Sequence, residues 1–177
     1  MRRRVDLSRL KELMQRLGRE AKGPGSIYFT GGATMLLLGI RDQTIDVDLK
    51  MDPEPPGVFE VIARLKDELE LNIELASPDD FLPALPRWRE QSLPINTFGQ
   101  VSFYHYDLRA QALAKLERGH DQDLKDVKAL LERQAVSAAD LWTAFEEMKP
   151  LLIRYPAIEA DEFEKKIRRF PSIMPDQ

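Results

Sequence analysis

The chain has 177 residues, of which 43% are hydrophobic and 32% charged, and this composition favours one globular domain with a real core over two domains. Its formal net charge of −4 excludes a molecule that attracts nucleic acid over its whole surface, so a nucleic-acid partner would need a local basic patch. The absence of cysteine excludes disulfides and thiolate metal sites and favours a reducing cytoplasm.

The apolar segments are too short for a membrane protein. The arginines at positions 2–4 are not followed by an apolar stretch, so the N-terminus lacks the pattern of a secretory signal. The longest apolar run, Ala33–Ile40, is far shorter than the roughly 20 residues of a spanning helix. We therefore expect a cytoplasmic protein without a membrane partner.

Helix and strand signals alternate in the first part of the chain, and helix signals alone follow. The first helix begins after Asp6, and its basic residues form either a solvated face or an approach surface for RNA. The predicted elements are helix 7–22, strand 26–30, helix 33–38, strand 44–51, helix 58–70, strand 71–76, a short helix 81–85, an irregular stretch 82–94, hairpin strands 95–98 and 101–106, helices 107–118, 121–133, 137–148 and 158–169, and an irregular tail 170–177.

This order predicts an α+β fold, in which a small mixed β-sheet is flanked by helices and followed by a C-terminal helical part. Residues 1–106 form the core with its N-terminal helix, and residues 107–177 form the helical part, packed on the core as one compact domain. The succession of strand, helix and strand places strand 71–76 beside the central strand 26–30.

The segment around Gly31 and Gly32 has the pattern of a phosphate site. A predicted strand ends at Thr30, and the glycine pair lets the backbone turn tightly and come close to a bound group. The helix that follows begins with N–H groups that can hold phosphate oxygens. Alone, however, a glycine pair is only a weak turn signal.

Asp46 and Asp48 lie two residues apart on the next predicted strand. Since strand side chains alternate, both carboxylates share one face of the sheet. Such a pair repels itself unless a cation neutralises it, and hard oxygen ligands suit Mg²⁺. Taken alone, the pair is better explained as part of the solvent-exposed face of a half-buried strand. Its closeness to the glycine pair reverses this preference and favours a joint phosphate-and-metal site.

Residues 115–127, in the predicted C-terminal helices, form a second segment rich in charged residues. Lys115 and Arg118 face the same way on one helix, and Asp123 and Asp126 share a face of the next. If the two helices pack side by side, the basic pair comes near Asp123. The spacing alone favours a structural salt bridge over a catalytic role.

The glycine pair followed by an Asp-x-Asp strand resembles the DNA polymerase β-like nucleotidyltransferase superfamily. The motif of that superfamily is a hydrophobic residue, Gly, then Gly or Ser, a short helix, and a strand with Asp-x-Asp. Within this superfamily, the sequence of residues 41–49, Arg-Asp-Gln-Thr-Ile-Asp-Val-Asp-Leu, resembles the AbiEii-type branch of abortive-infection and toxin nucleotidyltransferases. The resemblance extends over about residues 26–131.

The resemblance implies a role for each candidate residue. The nucleotide-binding residues are Gly31, Gly32, Arg41, Thr44, Lys115 and Arg118. The metal ligands are Asp46 and Asp48, with Glu74 as a third acidic residue on the following strand and Asp79 as the fallback for that third position. The catalytic residues are Asp46, Asp48, Lys115 and Asp123. In this scheme Lys115 contacts the phosphates as a mobile point charge, and Asp123 orients that lysine or helps to activate the acceptor.

The implied activity is transfer of a nucleoside monophosphate from a nucleoside triphosphate, with Mg²⁺ or Mn²⁺, to an acceptor hydroxyl. The acceptor is a tRNA 3′ end or a protein, and the chain is expected to be the toxin of a toxin–antitoxin pair with a cognate antitoxin protein. The alternative is a catalytically weak module of the same fold that acts through a protein or RNA partner. A purely structural role leaves the acidic pair unexplained.

Overall fold

Helices and strands alternate up to Tyr106 and helices follow, as the computed structural model shows for residues 3–170. The helices are α1 (Leu7–Glu20), α2 (Gly31–Leu37), α3 (Val58–Glu68), α4 (Trp88–Gln91), α5 (Leu108–Arg118), α6 (Asp121–Glu132), α7 (Ala138–Met148) and α8 (Ala160–Arg169). The strands are β1 (Gly25–Thr30), β2 (Asp46–Met51), β3 (Asn72–Leu75), β4 (Leu93–Phe98) and β5 (Val101–His105). The predicted irregular tail lies, from residue 171 onwards, outside the described residues.

The five strands form one mixed sheet in the order β3-β2-β1-β5-β4. The central strand β1 runs antiparallel to β2 and parallel to β5. At the edges, β3 runs parallel to β2 and β4 runs antiparallel to β5. This small mixed sheet with its flanking helices confirms the predicted α+β class.

The prediction that strand 71–76 lies beside the central strand is wrong. The strand β2 folds back antiparallel against β1 and takes that neighbouring place itself. The helix α3 then crosses over the sheet and returns the chain parallel to β2, which is the usual geometry of a strand–helix–strand unit. As a result, Asn72 stands opposite Asp46 in the ladder, and Glu74 stands opposite Asp48.

The hydrophobic core beside this sheet is built from the alternate residues of its strands and the apolar stripes of α1 and α3. The Asp6 carboxylate caps α1 by accepting a hydrogen bond of 2.9 Å from the Arg9 N–H, as its position predicts. The buried core residues include Leu10, Leu13, Leu17, Ile27, Phe29, Val47, Leu49, Val61, Leu65, Val101 and Phe103. Because Val47 and Leu49 take the core face of β2, the residues between and before them are directed to the opposite face.

Three local predictions need correction. The helix α2 begins at Gly31 itself rather than at residue 33. The short helix predicted at 81–85 is absent from the described chain, because Pro83 disfavours helical geometry in Leu82, the residue before it. The turn of helix α4 forms instead at Trp88–Gln91, a proline-free segment within the stretch expected to be irregular.

Chain contacts divide the described residues into two compact units. The first unit contains residues 3–77 and Ser92–Tyr106, and the second contains Pro78–Gln91 and residues 107–170. In the second unit, Phe145 of α7 and Phe163 of α8 pack edge to face with ring centres 5.2 Å apart. The Ser137 hydroxyl accepts a hydrogen bond of 3.0 Å from the Asp140 N–H and caps α7. Among residues 3–170, no helix has both the length and the apolar character needed to span a bilayer.

Candidate active site

The turn from β1 into α2 places the backbone of Gly31 beside Asp48 of β2. Gly31 has a positive φ of +58°, a conformation that favours glycine. A Cβ atom built on Gly31 would lie 3.1 Å from the Asp48 Oδ2 atom. The predicted glycine turn and the Asp-x-Asp strand are therefore direct neighbours within the first unit.

The side chains of Thr44 and Arg41 lie close to the backbone of Gly32. A Cβ atom built on Gly32 would collide with the Thr44 hydroxyl oxygen and lie 3.5 Å from the Arg41 Nη1 atom. The Thr44 hydroxyl in turn donates to the Asp46 carbonyl oxygen at 3.1 Å, and its backbone forms a bridge with Val5. Thr44 thus ties the glycine turn to the start of β2, although the residue lies just outside the strand.

The two carboxylates of β2 occupy the face of the sheet opposite the core. Asp46 and Asp48 are both half-buried, and they alternate with fully buried Val47 and Leu49. In the ladder, Asp48 lies between Thr30 of β1 and Glu74 of β3. Among residues 3–170, no set of three or more histidine, aspartate or glutamate side chains is grouped so that protein atoms alone would hold a metal ion.

A neutral side chain connects the acidic strand to its neighbour. The Asn72 Nδ2 atom donates to Asp46 Oδ1 at 2.5 Å and to Glu74 Oε1 at 2.9 Å. Asn72 is half-buried, whereas Glu74 is exposed on the edge strand β3. The sequence analysis assigned no role to Asn72, although its alternation with Ile73 places it on the same face as Glu74.

The second cluster joins α5 and α6 inside the second unit, as the helical spacing predicts. The Lys115 Nζ atom lies 2.8 Å from Asp126 Oδ2 and 3.8 Å from Asp123 Oδ1, and at most 5% of each of these side chains is exposed. Arg118 donates to both oxygens of Asp123, at 2.8 and 2.6 Å. The Gln122 amide donates to Asp126 Oδ1 at 3.0 Å. Two basic groups therefore face two carboxylates in a nearly balanced cluster.

Asp126 is the closer partner of Lys115, so sequence reasoning understated it. The sequence places Asp126 on the same helix face as Asp123, and its closeness to Lys115 depends on how α6 is rotated against α5. For Asp123, burial raises the carboxyl pKa, but the hydrogen bonds from Arg118 and the charges of Arg118 and Lys115 outweigh it. The pKa of Asp123 therefore lies below its ordinary value.

His105 is buried at the end of β5. Its Nδ1 atom lies 3.2 Å from the Thr34 hydroxyl oxygen, and that hydroxyl also lies 3.1 Å from the Phe29 carbonyl oxygen as a donor. Desolvation lowers the pKa of His105 to about 4, so the ring is neutral at pH 7. We assign it a structural role behind the glycine turn.

Of the predicted site residues, the structure brings Gly31, Gly32, Arg41, Thr44, Asp46, Asp48 and Glu74 together in the first unit. It brings Lys115, Arg118 and Asp123 together in the second unit. The two residues that complete these groups, Asn72 and Asp126, are found through the ladder register and the packing of a helix pair, neither of which one sequence determines.

The geometry of the first unit agrees with a comparison to known families. Residues 5–170 match the family described as "Nucleotidyltransferase of unknown function" (DUF6036). No curated protein and no solved structure matches the chain. The match spans nearly all of the described residues and confirms the nucleotidyltransferase part of the resemblance. The chain therefore belongs to DUF6036, a family of nucleotidyltransferases of unknown function.

Proposed function

We propose that this chain is a Mg²⁺-dependent nucleotidyltransferase that moves a nucleoside monophosphate from a nucleoside triphosphate to an acceptor hydroxyl. Its family makes a nucleotide the substrate class. The observation that carries the proposal is the position of Gly31, where a Cβ atom would lie 3.1 Å from the Asp48 carboxylate. Because Gly31 has no side chain, a phosphate could approach the backbone there, next to a carboxylate that could bind a cation.

The donor set fits Mg²⁺ or Mn²⁺. Asp46 and Asp48 offer hard carboxylate oxygens from one strand face. Mg²⁺ is commonly held by one or two carboxylates while phosphates and water complete its octahedron, so a third protein carboxylate is not required. We assign Asp46 and Asp48 as ligands, and Glu74, the third acidic residue that the resemblance implies, is not needed to complete the site. When bound, the ion would neutralise negative charge on the phosphates during transfer.

The proposed transfer exchanges one phosphorus–oxygen bond for another. The acceptor oxygen bonds to the α-phosphorus, the bond from that phosphorus to the bridging oxygen breaks, and pyrophosphate leaves with the electron pair. The acceptor loses its proton to a base. Gly31 and Gly32 let the phosphates approach the backbone, and Arg41 supplies positive charge beside Gly32. Thr44 holds the loop in place through its hydrogen bond to the Asp46 carbonyl.

The α5–α6 cluster has further roles in this proposal, taken from the resemblance. Lys115 and Arg118 balance phosphate charge, and Asp123 orients the lysine or helps to activate the acceptor. The Arg118 side chain is 59% exposed, whereas that of Lys115 is 5% exposed. A phosphate would therefore reach Arg118 at a lower desolvation cost than Lys115.

We also propose that the chain belongs to the AbiEii-type branch, because the sequence of residues 41–49 resembles that branch. The acceptor would then be a tRNA 3′ end or a protein hydroxyl in the cytoplasm, and the chain would act as a toxin held in check by an antitoxin protein. The basic α1 helix gives RNA little direct support, because Arg16 is already bound by Glu20 at 2.5 Å and Glu68 at 2.7 Å.

A screen of substrates tests the proposed function. Each of the four nucleoside triphosphates, labelled at the α-phosphate, is incubated with the protein and with total cellular RNA or total cellular protein. We expect label to move from at least one triphosphate to one acceptor class with Mg²⁺ and not with EDTA, while a γ-phosphate label is not transferred. Absence of transfer from all four triphosphates to both acceptor classes would contradict the proposal.

The alternative, a catalytically weak binding module, is favoured by one observation. Lys115 is held by two carboxylates in a buried cluster, and a purely structural role is sufficient to explain that arrangement. Calorimetry separates the two functions. Nucleotide binding that requires Mg²⁺ supports the enzyme, whereas tight binding of RNA or protein without any nucleotide binding supports the module.

A further inference from the structure

We infer that Asn72 is a positioning residue for the proposed metal ligand Asp46, and that Glu74 anchors Asn72 instead of binding the ion. This role rests on the proposed function, because it concerns the metal site introduced there. It assigns to the strand beside the acidic pair a neutral donor in place of a third metal-binding carboxylate.

The contacts of one amide group carry this inference. Asn72 stands directly opposite Asp46 in the parallel ladder of β2 and β3. Its Nδ2 atom donates to Asp46 Oδ1 at 2.5 Å and to Glu74 Oε1 at 2.9 Å. An amide nitrogen has two hydrogens, so one is directed to each carboxylate. The amide group is therefore oriented by Glu74 on one side and fixes Asp46 on the other.

This arrangement sets the orientation of the Asp46 carboxylate. Its Oδ1 atom accepts the Asn72 N–H, and the lone pairs that remain on the two oxygens would be presented to a cation in one fixed direction. Hydrogen bonds of this kind hold a metal-binding carboxylate in one orientation and tune its affinity, and their loss typically weakens metal binding 10–100-fold. Asn72 performs this task without adding charge, whereas aspartate at this position would place a fourth carboxylate beside Asp46, Asp48 and Glu74.

The geometry of Glu74 supports its assignment as an anchor. Its side chain lies on the exposed edge strand, and its Oε1 atom receives the second Asn72 hydrogen. A neutral glutamine would keep an acceptor oxygen for Asn72, and this makes Glu74→Gln a discriminating variant.

The test titrates Mn²⁺ into the full chain without nucleotide and follows free Mn²⁺ by electron paramagnetic resonance. We expect Asn72→Ala to raise the Kd for Mn²⁺ by roughly tenfold or more, since it removes the donor to Asp46. Asn72→Gln, which keeps an amide, should recover part of that loss, and Glu74→Gln should stay close to wild type. Asp48→Asn should lose binding. The matched control, Asn96→Ala on the exposed edge of β4, should bind like wild type.

The outcomes separate this inference from the proposed function. If Asp48→Asn loses Mn²⁺ while Asn72→Ala binds like wild type, the metal site stands and the positioning role is overturned. If Glu74→Gln loses Mn²⁺ as Asp48→Asn does, Glu74 is a ligand and its anchoring role is overturned. If wild type binds no Mn²⁺, the proposed metal site fails and the role of Asn72 fails with it. Thermal unfolding checks each variant, and Asn72→Val, which also lacks a donor, replaces Asn72→Ala under the same criteria if the latter does not fold.

Discussion

Each of the two units contains a cluster of charged residues, and the two clusters differ in burial and in the charge of their partners. In the first unit, Asp46 and Asp48 are half-buried, and the Asp46 carboxylate accepts a hydrogen bond from the neutral amide of Asn72. In the second unit, Lys115 and Asp126 form an ion pair of 2.8 Å that is almost completely buried. Burial and charge balance, more than residue type, therefore decide whether a charged cluster attracts a cation or is already compensated within the protein.

The physical consequences of the two arrangements differ. Adjacent carboxylates at a half-buried position repel each other, so a bound cation lowers their energy. A buried ion pair is already compensated, and removing one partner leaves an uncompensated charge away from water. We therefore expect substitutions of the acidic pair to change ligand binding more than stability, and substitutions of the buried pair to change stability first.

The largest effect on stability is expected at the buried pair. Asp126→Ala leaves Lys115 with only its more distant contact to Asp123, and we expect the free energy of unfolding to fall by about 3 kcal/mol. Urea denaturation followed by circular dichroism measures this change. Lys128→Ala breaks the exposed pair with Glu132 in the same helix and should leave the midpoint unchanged within error. Equal midpoints for the two variants would show that burial does not distinguish these pairs.

A smaller effect is expected at the glycine turn. Gly31→Ala forces a side chain into a positive-φ position and against Asp48, so we expect a loss of about 1–2 kcal/mol in stability together with weaker Mn²⁺ binding. Gly119→Ala is the matched control, because Gly119 also has a positive φ of +70° and, among residues 3–170, its Cβ atom would meet only the Leu116 carbonyl oxygen, at 3.6 Å.

The control separates backbone strain from contact with the site. Gly119→Ala should lose similar stability and keep Mn²⁺ binding. If both alanine variants bind Mn²⁺ equally well, the closeness of Gly31 to Asp48 has no consequence for the proposed metal site.

The smallest effect is a pH dependence at Asp123. Because its folded-state pKa is lowered, Asp123 contributes stability above the ordinary aspartate pKa of about 3.8, and this is lost as pH falls through the folded value. The difference in unfolding free energy between wild type and Asp123→Asn should therefore be constant near neutral pH and shrink below about pH 4. Urea titrations across this range measure it. A difference that stays constant or grows towards acid would contradict the lowered pKa.

The parts of the site that were predictable depend on short-range patterns. The strand period of two places Asp46 and Asp48 on one face, and the glycine pair identifies a tight turn from local composition alone. The role of Asn72 was not predictable, since it depends on the register between β2 and β3, and the sequence pattern placed that strand beside the wrong neighbour. Likewise, the relative rotation of α5 and α6 decides that Asp126 is closer to Lys115 than Asp123 is.

The central claim is that the acidic pair beside Gly31 supports metal-dependent nucleotidyl transfer. The most direct test compares the rate of α-phosphate label transfer for wild type and Asp48→Asn at saturating triphosphate and Mg²⁺, with Asp67→Asn on the exposed side of α3 as the matched control. We expect Asp48→Asn to lose roughly a hundredfold or more in rate while keeping the thermal midpoint of wild type, and Asp67→Asn to transfer label normally. Transfer by Asp48→Asn at the wild-type rate would contradict the proposed site.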